Sequence, residues 1–182
     1  RSNMERFQIV SDSSCDLGRE RAKELGVTLV SFYVSFDGEN YYREEQDITN
    51  REFYQQMADR PGVFPRTSMP TVEDYLTVLR PMVERGEPVL CVCLNAPFSG
   101  SFQAARNARS LLMEEFPRAE VCVLDSQLAT VLQGVLVLEA VHLRDAGVSL
   151  AAAAAQLESN RKTGRIFFTT NDLEYLKHGG RV

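Results

Sequence analysis

Short apolar runs alternate along the chain with stretches whose apolar residues recur at helical spacing. Residues 7–10, 27–30, 89–94, 121–124 and 166–168 are rich in β-branched side chains and read as strands. They are apolar throughout instead of every second residue, the pattern of strands covered by helices on both faces. Their alternation with helical segments predicts a parallel sheet. Residues 32–36 differ: Phe-Tyr-Val-Ser-Phe followed by Asp37-Gly38 reads as a strand running into a turn, at a sheet edge or in a hairpin.

Helices are expected between these runs. Residues 17–25 close on Gly26 as a C-cap, and residues 49–57 and 71–85 open with Thr49 paired to Glu52 and Thr71 paired to Asp74. Residues 102–115, 129–145, 150–161 and about 172–178 complete the set. The alanine run 151–155 reflects helix propensity, with close packing against a neighbour as a second reason. The expected fold is therefore α/β, a parallel sheet with helices on both faces. Residues 1–3, ahead of Met4, read as an expression remnant. The closing Gly179-Gly180-Arg181-Val182 reads as an interrupted end, because paired glycines usually introduce more structure.

Composition narrows the function. The 182 residues suffice for one ordinary core, and a net charge of −5 without a basic run argues against a nucleic-acid partner, which needs clustered Lys and Arg. No stretch reaches the ~18–20 consecutive apolar residues of an integral membrane segment, and no secretory layout opens the chain, so a cytoplasmic location is expected. Cys91, Cys93 and Cys122 lie in apolar runs, where thiols act as small hydrophobes, and no Cys/His spacing predicts a metal or cofactor site.

Polar residues gather after the strands, where open α/β sheets bind ligands. Ser11-Asp12-Ser13-Ser14 follows the first run, Asn95-Ala96-Pro97-Phe98-Ser99-Gly100-Ser101 follows residues 89–94, Asp125-Ser126 follows 121–124, and Thr169-Thr170-Asn171 follows 166–168. Any one loop is explained by helix capping. Taken together, and with Arg66-Thr67-Ser68-Met69-Pro70 ahead of another helix, they also fit a rim of neutral donors for an oxyanion. A glycine between two hydroxyls at 99–101 lets a backbone approach a phosphate or carboxylate, although neither a P-loop nor a GxGxxG fingerprint is present. Phe64, Met69, Pro97, Phe98 and Phe102 crowd the same segments, either as core or as the lining for an apolar tail.

Asp12-Ser13-Ser14, Phe64-Pro65-Arg66-Thr67-Ser68-Met69-Pro70, Phe98-Ser99-Gly100-Ser101-Phe102-Gln103-Ala104-Ala105, Val123-Leu124-Asp125-Ser126 and Asp172-Leu173-Glu174-Tyr175-Leu176 with Gly179-Gly180-Arg181 follow one another in an order and spacing that resembles the signature blocks of the bacterial DegV family. The resemblance implies a DegV-type N-terminal α/β domain over about residues 4–160, with about 161–182 entering a second α/β part. It implies a long-chain, palmitate-like fatty acid in a tunnel near the domain junction, presented to a separate fatty-acid kinase that makes acyl-phosphate for phospholipid synthesis. It implies head-group roles for Thr67 and Ser99, with Ser68, Gly100, Ser101, Asn95, Asp12 and Ser13 in the surrounding loops. The chain departs from the family pattern with Asn95-Ala96 in place of two serines, Ser101 in place of Thr and Met69 in place of Gln. In the family, a His or Arg beyond the GGR block commonly completes the head-group site.

A binding role follows the residues more closely than a catalytic one. A buried carboxylate needs donors, and two hydroxyls supply them, while a tail of about sixteen carbons gains on the order of 12 kcal/mol gross at ~0.8 kcal/mol per CH2. A serine hydrolase built on Ser13 or Ser99 with His142 or His178 is the alternative enzyme, and no GxSxG elbow surrounds either serine. His142 reads as packed or half-exposed within its helix, His178 as a cation in a last helical turn, and Cys15 as a thiol without an activator. A binder of small phosphate ligands on a related fold is the third reading.

Overall fold

A computed structural model describes residues 6–94, 100–126 and 130–163. Its central sheet contains β1 (Gln8–Asp12), β2 (Val27–Val30), β6 (Val89–Cys93) and β7 (Val121–Asp125), all parallel and ordered β2-β1-β6-β7. Successive side chains point to opposite faces, which explains the unbroken apolar runs. Ile9, Val27, Leu90, Val92 and Leu124 enter one core with α1 (Arg19–Leu25), α5 (Thr130–Asp145) and α6 (Leu150–Thr163). Val10, Val30, Val89, Cys91, Cys93 and Val121 enter the other with α3 (Val72–Glu84) and α4 (Ser101–Glu115). Both faces are thus covered by helices, as the sequence predicts. Within the alanine run, Ala153 is fully buried in the first core.

Between β2 and α3 the chain departs from the expected alternation. Here β3 (Tyr33–Ser35), β4 (Tyr42–Arg43) and β5 (Arg66–Ser68) form a small antiparallel sheet ordered β4-β3-β5, and α2 (Asn50–Asp59) lies between β4 and β5 in sequence. The sequence reading finds β3 but takes Arg66-Thr67-Ser68 for a loop. That run has no apolar pattern because its pairing partner, Val34 opposite Thr67, supplies the buried surface. Val34, Phe36 and Ile48 make a third, minor core with Phe53, Met57 and Val63.

The termini form largely as capping chemistry dictates. Thr49 with Glu52 and Thr71 with Asp74 each make the reciprocal capping box, and Gly26 ends α1 in the left-handed conformation at φ 70°. Residues 17–18 stay outside α1, whose N-cap Gly18 offers no side-chain bond. The cap comes instead from Glu45, which is buried at φ 65°. Its two oxygens accept from the backbone N–H groups of Arg19, at 2.7 Å, and Asn50, at 3.1 Å, the first residues of α1 and α2.

Along β7, the last strand of the sheet among the described residues, Arg109 from α4 donates to the carbonyl of Val121 at 2.5 Å, and Arg161 from α6 donates to that of Asp125. No helix among the described residues is long and apolar enough to cross a membrane.

Candidate functional site

The strand order reverses between β1 and β6, so their chains diverge at the carboxyl edge and leave a crevice there. Asp12 ends β1 at this point and is fully buried. One carboxylate oxygen, Oδ1, accepts from the Ser14 backbone N–H at 3.2 Å and from Gln133 Nε2 at 2.8 Å, with the Ser14 hydroxyl also against it. The other, Oδ2, accepts from the Leu94 backbone N–H at 2.7 Å and the Ser101 hydroxyl at 2.9 Å. Burial pushes the Asp12 carboxyl above its ordinary value, against the pull of the donors from Ser14, Leu94, Gln133 and Ser101.

The network continues inward. Tyr75 on α3 sits 2.5 Å from the Ser101 hydroxyl, and burial holds its phenol well above its ordinary value, so it remains protonated. With the Ser101 proton committed to Asp12, Tyr75 is the donor of this pair. Cys93 follows at 3.4 Å from the Tyr75 hydroxyl, and Cys91 lies 3.6 Å from Cys93. Gln133 bonds Ser11 at 3.1 Å and receives the Ser14 hydroxyl at 3.0 Å, which joins α5 to the same group. The sequence reading misses Gln133 and Tyr75; the signal for Gln133 was a lone amide in the apolar run of α5.

The structure brings several of the expected site residues to this edge. Ser13 lies in a short 3-10 turn, Ser13–Cys15, where its hydroxyl donates to Glu44 Oε2 at 2.8 Å and accepts from the Phe32 backbone at 2.8 Å. Gly100 caps α4 and lies under Met69, so the segment after β5 touches the start of α4. Thr67 and Ser68 are exposed on β5, within two residues of that contact. Asn95 and Ser99, with Pro97 and Phe98, lie outside the described residues, as do His178 and the strand and helix expected at 166–168 and 172–178. Of the apolar candidates, Phe64 is 88% and Met69 44% exposed, leaving apolar surface open on this segment. Phe102 is half-buried, with the Arg106 guanidinium 5.7 Å from its ring centre.

An alanine at Gly100 places a methyl 2.6 Å from the Met69 sulfur, yet the backbone there, at φ −84° and ψ 11°, accepts any residue. Because Met is unbranched and yields readily, Gly100→Ala is expected to change the unfolding free energy by no more than about 0.5 kcal/mol. The methyl NMR signal of Met69 shifts, and calorimetric unfolding measures the stability.

The nucleophile alternatives gain nothing here. Burial pushes the Cys15 thiol up to about 12, and His142 is half-exposed, with Nδ1 4.0 Å from Glu139. A cleft of about 710 Å³ does exist at the opposite, amino-terminal edge of the sheet, lined by Arg6, Glu87, Pro88, Phe116, Arg118 and Leu150 among others. It mixes charges of both signs and is lined by none of the candidate residues, so the carboxyl edge remains the candidate site. No metal-holding cluster occurs among the described residues.

Fold and site together define an open, doubly covered α/β domain whose polar rim of hydroxyls and backbone donors sits at the topological switch point. A family model described as an uncharacterised protein of the DegV family matches residues 6–182. The chain belongs to the DegV family. A DegV domain-containing protein of Clostridium acetobutylicum is 32% identical over 175 residues, covering 96% of this chain and 60% of that protein. Among solved structures, a stearic acid-binding protein from Eubacterium ventriosum superposes with a TM-score of 0.78 at 47% identity, over 84% of this chain and 52% of that one. A fatty-acid-binding DegV family protein from Thermus thermophilus gives 0.71 at 37% identity, over 86% and 54%. The chain therefore spans about 60% of the curated relatives and about half of these structures.

Proposed function

We propose that this chain is the greater part of the head-group side of a fatty-acid-binding protein. In this reading Thr67 and Ser99 donate to the carboxylate, and the exposed apolar surface of Phe64 and Met69 contributes to the path of the tail. The observation that carries it is the 47% identity to a structure described as stearic acid-binding. Met69, two residues after Thr67, lies against Gly100, which follows Ser99 in the sequence, and this supports the reading. Ser68, Asn95 and Gly100 belong to the same rim.

The protein acts as a non-enzymatic carrier in the cytoplasm, handing the acid to a fatty-acid kinase for conversion to acyl-phosphate. One point favours a carrier over a hydrolase: the Ser13 hydroxyl, one of the two candidate nucleophiles, gives its proton to the Glu44 carboxylate.

Organic extraction of freshly purified full-length protein, followed by mass spectrometry, is expected to release a long-chain fatty acid in near-stoichiometric amount. Absence of any co-purified acid, together with acyl-ester turnover abolished by Ser99→Ala, overturns the reading. Stabilisation by inorganic phosphate and not by palmitate favours a small-phosphate binder instead.

A further inference from the structure

The strand that carries Thr67 has little of its own to hold it. β5 is three exposed residues long and, among the described residues, pairs with β3 alone, with Val34 opposite Thr67 and Tyr33 opposite Ser68. Beyond it come Met69, 44% exposed, and Pro70, which is buried and has no N–H to give, before Thr71 caps α3. Tyr33 joins the two ends of this stretch directly, because its phenol donates to Asp74 Oδ1 at 2.9 Å. Asp74 Oδ2 accepts the Thr71 backbone N–H at 2.9 Å, and the Thr71 hydroxyl accepts the Asp74 N–H at 3.1 Å. Burial and the Asp74 carboxylate hold the Tyr33 phenol above its ordinary value, so it keeps the proton it donates. The chain from Ser68 to Asp74 is thus closed into a ring through one side chain of β3.

We propose that Tyr33 is a positioning residue for the head group: its bond to Asp74 locks β5 to the start of α3 and so fixes where the Thr67 hydroxyl is presented. This rests on the reading of Thr67 as a carboxylate donor. A hydroxyl serves a carboxylate within a window of about 0.5 Å in distance and weakens steeply off line. A three-residue edge strand holds that geometry when both of its ends are fixed, by the β3 ladder on one side and by α3 on the other. With the ring open, the segment spends part of its time out of line, and affinity falls by the fraction of time it is competent. The loss falls on acids, since a hydrogen bond to a carboxylate is about twice as strong as one to a neutral group. Tyr33 has given its single proton to Asp74 and has none for the ligand.

Calorimetric titration of the full-length protein with palmitate and with hexadecanol, which has the same tail and no carboxylate, tests the role. The wild type is expected to prefer the acid by about tenfold or more, the worth of charge-assisted hydrogen bonds. Thr67→Val removes the donor and is expected to erase most of that preference. Tyr33→Phe keeps the aromatic ring and is expected to reduce the preference about threefold or more, with hexadecanol affinity held within about twofold. Asp74→Ala opens the same closure, so adding Tyr33→Phe to it is expected to cost no further preference. An unchanged preference in Tyr33→Phe, a parallel loss of acid and alcohol binding, or a further loss in the double variant overturns the positioning role. A wild type without acid preference, or Thr67→Val with its preference intact, overturns the carboxylate reading of Thr67 instead.

Discussion

Asp12→Ala is expected to lower the unfolding free energy by about 3–5 kcal/mol, with the fold retained if the full-length protein has stability to spare. The alanine leaves the N–H groups of Ser14 and Leu94 and the Gln133 amide without their acceptor in a site closed to water. Each stranded donor costs about 1–3 kcal/mol, partly offset because the desolvated charge is gone. Urea unfolding followed by circular dichroism measures the loss; a change under about 1 kcal/mol would mean that water reaches these donors.

The pH dependence carries a sign that runs against the usual aspartate. Burial raises the Asp12 carboxyl in the folded protein, so the folded state takes up its proton at a pH where the unfolded chain, near 3.9, has not. Stability from this group therefore grows as pH falls through the folded value and is complete below the unfolded one. Asparagine does not titrate. The advantage of wild type over Asp12→Asn is expected to widen on acidification, which paired unfolding curves between neutral pH and pH 4 test directly.

Glu45→Ala is expected to cost about 2–4 kcal/mol, because one side chain caps two helices. Gly18 leaves α1 without a local cap, and the positive ends of two helix dipoles converge on the same buried carboxylate. The backbone gives an internal control. At φ 65° a glycine is at ease where alanine is strained, so Glu45→Gly loses the same caps yet is expected to be milder by about 1 kcal/mol. Equal costs for the two substitutions would show that the strain is relieved elsewhere. Thermal unfolding of both variants, analysed at a common temperature, decides it.

The parallel sheet and its flanking helices are legible in the sequence because covered strands must be apolar on both faces, as Val89–Cys93 is, and because Thr49 and Thr71 announce helix starts through their partners three residues on. The small antiparallel sheet is only half legible. β3 is Tyr-Val-Ser inside the largely apolar run 32–36, but β5 is Arg-Thr-Ser, held in place by its neighbour and not by its own pattern. The rim shows a different gap. Hydroxyls and carboxylates after each strand mark where a ligand site lies, yet spacing along the chain does not distinguish a side chain facing a ligand from one holding its neighbours. Asp12 and Ser101 stand in the sequence as two polar residues of the rim, and only their burial and mutual bond show that they hold one another. Gln133 contributes from 121 residues away, a distance over which no local signal operates.

The two arginines that reach β7 also bear on what the sheet can accept beside it. The side of a strand turned away from its partner presents carbonyls that can receive a further strand. Arg109 of α4 and Arg161 of α6 occupy the Val121 and Asp125 carbonyls and set positive charge beside them. A strand pairing with β7 on that side would have to displace a guanidinium at both positions, so the contacts that pin α4 and α6 to the sheet also restrict what can be added to it.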